Sequence, residues 1–482
     1  MRLYKYICIA LLGSTLASCS HYKSLYSDYE RPDSLGIDIN ALYRDTASVD
    51  GILAADTTNF GNLHWREVFT DPLLQQLIER ALQANTDVRK ADLTIRQAEQ
   101  GLMTSRLAYF PTLAFTPTGT LSSYDFNKAT KTYNVPISAS WQADVFGTIR
   151  NAKKQSEMTL YQTRAAKQAT QTAIVASVAN LYYTLEMLDE QVQTTTETAE
   201  LWDKNVNAMD AMMQAGMTNG AAVSQAKANR LSIISSLPTL QSSIRQTENS
   251  LCALLHETPH SIARGKLADA NFPDMLSAGV PLQMLANRPD VRASELQLAY
   301  AYYGVLGARG AFYPSITISP SAGWTNTYGN PGKILATLVG QLTQPLFQQG
   351  KLKANYEIAK LNQESALLDF EQSLLDAGNE VSNALTTYQT TQRTIAAQED
   401  LVKQLEVAND QTDFMFHHGN TTTYLETLTT QQSLLQAQLT LISDRFDRVQ
   451  AVITLYQALG GGWEADENSK EETKKETKTE KD

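Results

Sequence analysis

Residues 256 to 260 read HETPH and satisfy the HExxH pattern, in which two histidines on one helical face bind zinc and the glutamate acts as general base. Pro259 lacks a backbone donor and breaks the helix that would have to present both rings, so the phrase reads as a helix stop. His417 and His418 are adjacent and point apart on any helix, which suits a polar tip, with copper or proton sensing as the other reading. Cys252, inside the apolar run LCALL, reads as an inert core thiol. The phrase QGKLKA lacks the spacing of a phosphate loop, and no nucleophile pairs with a base. The residues point away from catalysis, from a metal site and from any bound cofactor.

One cysteine carries a different chemistry. Arg2 and Lys5 precede an apolar run, Ile7 to Leu12, too short to cross a bilayer but laid out like a secretory signal. Leu16, Ala17, Ser18 and Cys19 resemble the bacterial lipobox, in which the peptide is cut before the cysteine and that residue receives lipid. Residues 1–18 are then a lipoprotein signal peptide; the other reading is an ordinary cleaved signal with an incidental cysteine. Several acyl chains on Cys19 would anchor the chain firmly. Of the three cysteines, Cys8 leaves with the signal and Cys19 is acylated, so Cys252 has no disulfide partner. A formal charge of -11 speaks against nucleic acid as a partner. No later segment has about 18 consecutive apolar residues, so any passage through a membrane must be made by strands.

The elements that would do so are duplicated. The stretch 85–117 lies over 288–320 at a constant shift of 203, matching Asp87, Val88, Arg89, Arg106, Pro111 and Pro117 with Asp290, Val291, Arg292, Arg309, Pro314 and Pro320. Gly216 matches Gly419 at the same shift. Each half opens with a helical stretch, about 85–110 and 289–311, followed by strand-like runs at 112–123 and 132–145, then 315–326 and 334–347. In the first half Leu113, Phe115, Tyr133, Val135, Ile137 and Trp141 alternate with Thr112, Thr116, Asn134, Ser138, Ser140 and Gln142. In the second half the apolar set, Ile316, Ile318, Trp324, Ile334, Leu338 and Leu342, falls on even numbers, with Leu335 and Val339 interrupting the polar face. Period two gives each strand one apolar and one polar face, at the length a tilted membrane strand needs.

Between the strand pairs lie long proline-poor stretches. Ile174, Val178, Leu181, Leu185, Leu188 and Val192, then Trp202, Val206, Met209 and Met213, form a heptad seam. The return arm of the second half repeats it with Leu428, Leu435, Leu439, Ile442, Phe446, Val449 and Ile453. At 1.5 Å per residue the outgoing arms span about 95 Å and the return arms, about 220–256 and 422–458, roughly 55 Å. Gly216 and Gly419 end the outgoing arms, and Pro238 is expected to kink the first return arm. The halves are therefore 85–256, with a hairpin from 150, and 289–458, with a hairpin from 350. Four strands cannot close a membrane barrel. Two chains would supply eight and three would supply twelve, so copies must pool their strands into a tube.

The phrases WREVFTDPLLQQLIERALQANTDVRKA, NRPDVRASE, DVFGTIR, QPLFQQGKLKA and LYQALGGGW, in this order from Trp65 to Trp463, resemble the TolC-type outer-membrane efflux factors, specifically the lipidated branch serving RND-type multidrug or metal pumps. The resemblance implies a mainly α chain with transmembrane β: helical hairpins forming an α-barrel, and four strands per chain in a trimeric twelve-stranded β-barrel of the bacterial outer membrane. Ser20, not acidic, fits that membrane by the same resemblance. It implies an equatorial collar from 19–84, the linker 257–288 and the end 459–482, whose charged tail is expected to be disordered. It further implies a homotrimer, a periplasmic adaptor (membrane fusion) protein and an inner-membrane RND pump as partners, with outer-membrane lipid around the strands. The matching gate and adaptor-contact positions are Gly216, Thr218, Phe416, Gly419, Thr421, Tyr424, Leu425, Glu426 and Leu428. Only Glu426 is acidic there, so a hydrophobic and tyrosine constriction is expected in place of a carboxylate ring. The function implied is a passive exit duct for drugs or other small toxic compounds. A channel for secreted proteins is the alternative within the family; a lipid-anchored coiled-coil scaffold and a zinc hydrolase are the alternatives outside it.

Overall fold

The computed structural model describes residues 24–32, 35–37, 63–270 apart from 124, 126 and 127, residue 272, 288–418 apart from 329 and 330, and 424–461. The signal, Cys19, most of the collar segments, Gly419, Thr421 and the charged tail lie outside the described residues. Contacts divide the chain into two compact units. The first takes in 1–37, 93–165 and 291–373; the second takes in 38–92, 166–290 and 374–482.

Among the described residues, the helices are α1 (Trp65–Val68), α2 (Pro72–Ala84), α3 (Thr86–Leu107), α4 (Thr148–Gln214), α5 (Gly220–Leu254), α6 (Pro289–Gly310), α7 (Lys351–His418) and α8 (Tyr424–Ala458). The strands are β1 (Thr112–Phe115), β2 (Thr118–Ser122), β3 (Thr130–Ala143), β4 (Ser315–Thr325) and β5 (Lys333–Thr343). Helices α4 and α7 have 67 and 68 residues, and α5 and α8 have 35 each. At 1.5 Å per residue these are about 100 Å and 52 Å long. The hairpins start two residues earlier and one residue later than the pattern suggested, at Thr148 and Lys351. No described helix is long and apolar enough to cross a membrane.

In the first unit the strands form one antiparallel sheet in the order β1-β3-β4-β5, with β2 also on β3. The expected first strand, 112–123, is divided. Both pieces pair with β3 in one register, Phe115 opposite Ile137 and Thr118 opposite Asn134. The gap falls at Thr116 and Pro117, facing Pro136 and Val135, where two prolines withhold ladder donors; only Thr116 N bonds Pro136 O, at 3.3 Å. The expected 132–145 becomes 130–143, because Val145 N already turns back to Ala143 O. The expected 334–347 stops at Thr343, two residues before Pro345, which cannot extend the ladder.

In the second unit the helices pack along the predicted seam. Ile174, Val178, Leu185, Trp202, Val206 and Met209 are buried, while Met213 is 39% exposed, so the seam ends one turn before the helix does. Near the tip Val206 and Met209 pack against Val223 and Ala226 of α5; Ile395 and Val402 of α7 pack against Ala437 and Leu441 of α8. Asn205 Nδ2 donates to Gln431 Oε1 at 2.8 Å, setting α4 beside α8. Helix α5 runs through Pro238 without a break in its assignment.

The pairing of β3 with β4 depends on Gly323, opposite Pro136, where a Cβ would lie 2.4 Å from Pro136 Cα. Gly323→Ala should sharply lower recovery of folded protein, whereas Gly119→Ala, with nothing within 4 Å of its Cβ, should leave recovery unchanged. Heat-modifiable migration on gels measures both.

Candidate functional site

Directly opposed residues share a sheet face, so the registers decide which sides the strands combine. Phe115 faces Ile137, Val135 faces Trp324, Trp141 faces Ile318, Ile316 faces Leu342, and Trp324 faces Ile334. Both apolar sets therefore merge on one surface of one sheet. Leu113 is 75% exposed, Ile334 74% and Leu338 73%, an apolar surface that no described residue covers. Trp324 Nε1 donates to Tyr133 Oη at 3.2 Å at one end of the band, and Trp141 Nε1 to Tyr109 O at 2.9 Å at the other. These placements match aromatic girdles. The opposite surface carries hydroxyls and amides: Thr112 pairs with Ser140, Gln142 with Thr317, and Ser321 Oγ meets Thr337 Oγ1 at 2.6 Å. Within the described strands Lys131 and Lys333 are the only charged residues, both at the end away from the helices.

At the end of the first hairpin, Gly216 has φ +75°; its N–H bonds Met213 O, and Met217 N bonds Met212 O at 2.9 Å. This is a Schellman stop, and Asn219 Oδ1 then caps α5 by accepting from Ala222 N. Thr218 lies half-buried in that link. At the second end, Phe416 falls in the last turn of α7, and Tyr424 and Leu425 in the first turn of α8. Glu426 is exposed and Leu428 is buried. Two further apolar residues stand out near these ends, Met217 at 68% exposed and Phe414 at 65%, neither marked by the heptad pattern.

The repeat has a structural use that the sequence comparison missed. Asn85 Oδ1 caps α3 by accepting from Asp87 N at 2.8 Å, while Asn85 Nδ2 donates to Leu254 O, the last carbonyl of α5. At the equivalent position, 203 residues on, Arg288 Nη1 donates to Ala458 O, the last carbonyl of α8, at 2.7 Å. Arg288 is 5% exposed and is balanced by Asp290 and by Glu380 of α7. One side chain per half thus joins a return helix to a leading helix, satisfying terminal carbonyls that would otherwise be orphaned.

HETPH is a helix stop. Helix α5 ends at Leu254, and His256 has φ 58°, with its N–H on Ala253 O and Glu257 N on Cys252 O. The two histidines share no helix turn, and among the described residues no group of three or more His, Cys, Asp or Glu could hold a metal. The segment after it is bound to α4 and α5. Arg264 makes a bidentate pair with Asp189 and a third bond to Glu248 Oε1 at 2.7 Å. Gly265 N donates to Tyr182 Oη, which donates to Asp71 Oδ2 at 2.5 Å. Beside them Glu186 is 2% exposed, with Oε2 lacking a partner; burial, then the neighbouring Asp71, pushes its carboxyl up to about 7. No motif marked this cluster, because its members come from α4 and the segments before α2 and after α5.

Long helical hairpins, together with a two-faced antiparallel sheet whose apolar side no described residue covers, are features of an outer-membrane channel. The sequence profile of the outer membrane efflux protein family matches residues 77–256 and 280–461. The chain is 29% identical over 475 residues to the toluene efflux pump outer membrane protein TtgC of Pseudomonas putida, covering 94% of this chain and 95% of that one. It is 28% identical over 469 residues to the cation efflux system protein CusC of Escherichia coli, covering 94% and 98%. Among solved structures, the open-state MtrE outer membrane channel of Neisseria gonorrhoeae superposes with a TM-score of 0.81 at 26% identity, over 90% of this chain and 98% of that one. The chain belongs to the outer membrane efflux protein family. It is an efflux channel of the outer membrane, and its helical part is periplasmic.

Glu186 couples the stability of the fold to pH. A carboxyl held above its ordinary range binds its proton more tightly in the folded chain, so the stability it contributes is present at pH 4.5 and falls as pH rises to about 7. The melting temperature should decline over that window, and Glu186→Gln should flatten the decline while matching or exceeding the native value at pH 8.

Proposed function

We propose that three copies of this chain, each anchored by lipid on Cys19, pool their strands into a twelve-stranded barrel and form the passive exit duct of a tripartite efflux system. The observation that carries this reading is the open sheet. Strands β1 and β2 at one edge and β5 at the other have no strand partner on their outer sides among the described residues, and an edge exposed to hydrocarbon leaves several backbone groups unsatisfied. Helix α3, which leads into β1, exposes Leu93, Met103 and Leu107; α7, which leaves β5, exposes Ile358, Leu361 and Leu368. Complementary edges of this kind join head to tail and close a ring.

The hydroxyl-lined face of the sheet would then face the lumen and the apolar band the lipid. Solutes pass a surface that offers many weak hydrogen bonds and little charge, so they move without being held. Relatives named for toluene and for cations support small toxic compounds as cargo. An inner-membrane RND pump supplies the energy, and a periplasmic adaptor docks at the hairpin ends. There Gly216, Thr218, Phe416, Gly419, Thr421, Tyr424, Leu425, Glu426 and Leu428 form the gate and the contact surface. The collar is built from residues 19–84, the linker 257–288 and the end 459–482. No catalytic step and no cofactor beyond the lipid are required.

Deleting the chain should raise sensitivity to toxic organic compounds, and purified protein should conduct in planar bilayers once the tips are loosened; correctly exported protein showing neither effect would sink the reading. Cys19→Ala should abolish incorporation of labelled palmitate and leave the mature chain without the lipid's added mass.

A further inference from the structure

The duplication extends to the pairing of the strands. Thr112 opposes Ser140 and Phe115 opposes Ile137; 203 residues on, Ser315 opposes Thr343 and Ile318 opposes Gly340. The far ends agree, with Ser122 opposite Thr130 and Thr325 opposite Lys333. Two hairpins of unlike sequence therefore hold one register to the residue. Strand β3 of the first hairpin then pairs with β4 of the second, Val135 opposite Trp324 and Ser138 opposite Ser321.

Strand β5 is the repeat equivalent of β3, and β1 with β2 the equivalent of β4, yet the corresponding junction is absent among the described residues. Every residue of β5, β1 and β2 is exposed, whereas most of β4 is covered. Two unpaired edges built on one plan fit each other. Shifted by 203, the register between β3 and β4 carries over to a junction between copies. Val135 and Trp324 become Leu338 and Leu121; Ala143 and Ile316 become Leu346 and Leu113; Ser138 and Ser321 become Gln341 and Thr118. A slip of one residue would turn a strand over and set apolar against polar. Here leucine meets leucine on the apolar face and amide meets hydroxyl on the other, and Leu346, 93% exposed in the single chain, gains cover. The interruption carries over as well. The ladder between β3 and β4 skips Pro320, and Pro117, its repeat equivalent, stands where β1 and β2 divide.

We infer that β5 of one copy pairs antiparallel with β1 and β2 of the next in this register, with Gly340 opposite Gly119, Leu338 opposite Leu121 and Leu346 opposite Leu113. This pairing presupposes the pooled strands proposed above and adds which residues meet. Stagger then accumulates equally at junctions within and between chains, as an evenly sheared barrel requires.

Opposed residues of an antiparallel pair lie about 4.5–5.5 Å apart at Cα, within disulfide reach. A Cβ on Gly119 or on Gly340 meets nothing within 4 Å, so a cysteine fits at either position in a Cys252→Ala background. A copy carrying Gly119→Cys, co-expressed with a differently tagged copy carrying Gly340→Cys and oxidised in membranes with copper phenanthroline, should give a doubly tagged dimer on non-reducing gels. Either variant alone should give none. Leu121→Cys with Leu338→Cys should behave in the same way. Gly119→Cys with Leu338→Cys or with Leu342→Cys is two residues out of register, about 7–8 Å apart, and should cross-link about tenfold less. An out-of-register pair that cross-links as readily as the in-register ones would overturn the inference. So would the absence of a disulfide in all four pairs from protein that amine cross-linking shows to be trimeric. A chain that stays monomeric in that assay sinks the pooled-strand reading itself, and this pairing with it.

Discussion

Backbone hydrogen bonding in hydrocarbon is the constraint on which the rest of this molecule depends. Every N–H and C=O within the apolar band must find a partner, because the bilayer supplies none. The registers satisfy that demand inside the sheet without a bulge, and its gaps coincide with Pro117, Pro136 and Pro320, which have no N–H to offer. At the two edges no described residue meets the demand. The proposed threefold closure follows from that remainder.

Duplication makes the closure geometrically simple. Each half contributes two strand positions and one hairpin, so an assembly of copies is quasi-regular in both sheet and helices. The halves are alike in plan and different in chemistry at the joints. Where the first half uses the neutral Asn85 to bridge α5 and α3, the second uses Arg288 to bridge α8 and α6 and adds two carboxylates to balance it. A buried guanidinium depends on its counter-ions, so the second joint ties in α7 through Glu380 whereas the first does not need it.

The segment after α5 illustrates how an apparent catalytic motif can be a consequence of helix termination. His256 occupies the left-handed position of a Schellman stop, the place that Gly460 takes at the end of α8. Beyond it, Arg264 and Gly265 meet the polar side of α4 and enclose Glu186 beside Asp71 and Tyr182. Two carboxyl groups around one phenol in a dry site favour a proton over a second negative charge, which makes this contact pH-sensitive.

Local pattern was enough for the strand-like runs, the helices and the duplication, though not for the break in the first run or the strand ends, because periods of two and of three to four are written in residue order and need no partner to be read. It also marked Gly216 as a stop, since a left-handed position favours glycine wherever it occurs. The seam up to Met209 was equally legible, while Met213 was not, because the heptad continues after the packing partner has been lost. What residue order could not reveal were relations between distant segments: that odd and even apolar sets share one face, that Asn85 and Arg288 bridge helix ends, and that Asp71, Tyr182, Glu186 and Gly265 meet. Those depend on strand register and on which termini abut, quantities set by three-dimensional packing over separations of up to about two hundred residues. The sequence by itself determined the elements and the faces they must bury; tertiary structure decided which faces meet, because a contact energy exists only once both partners are in place.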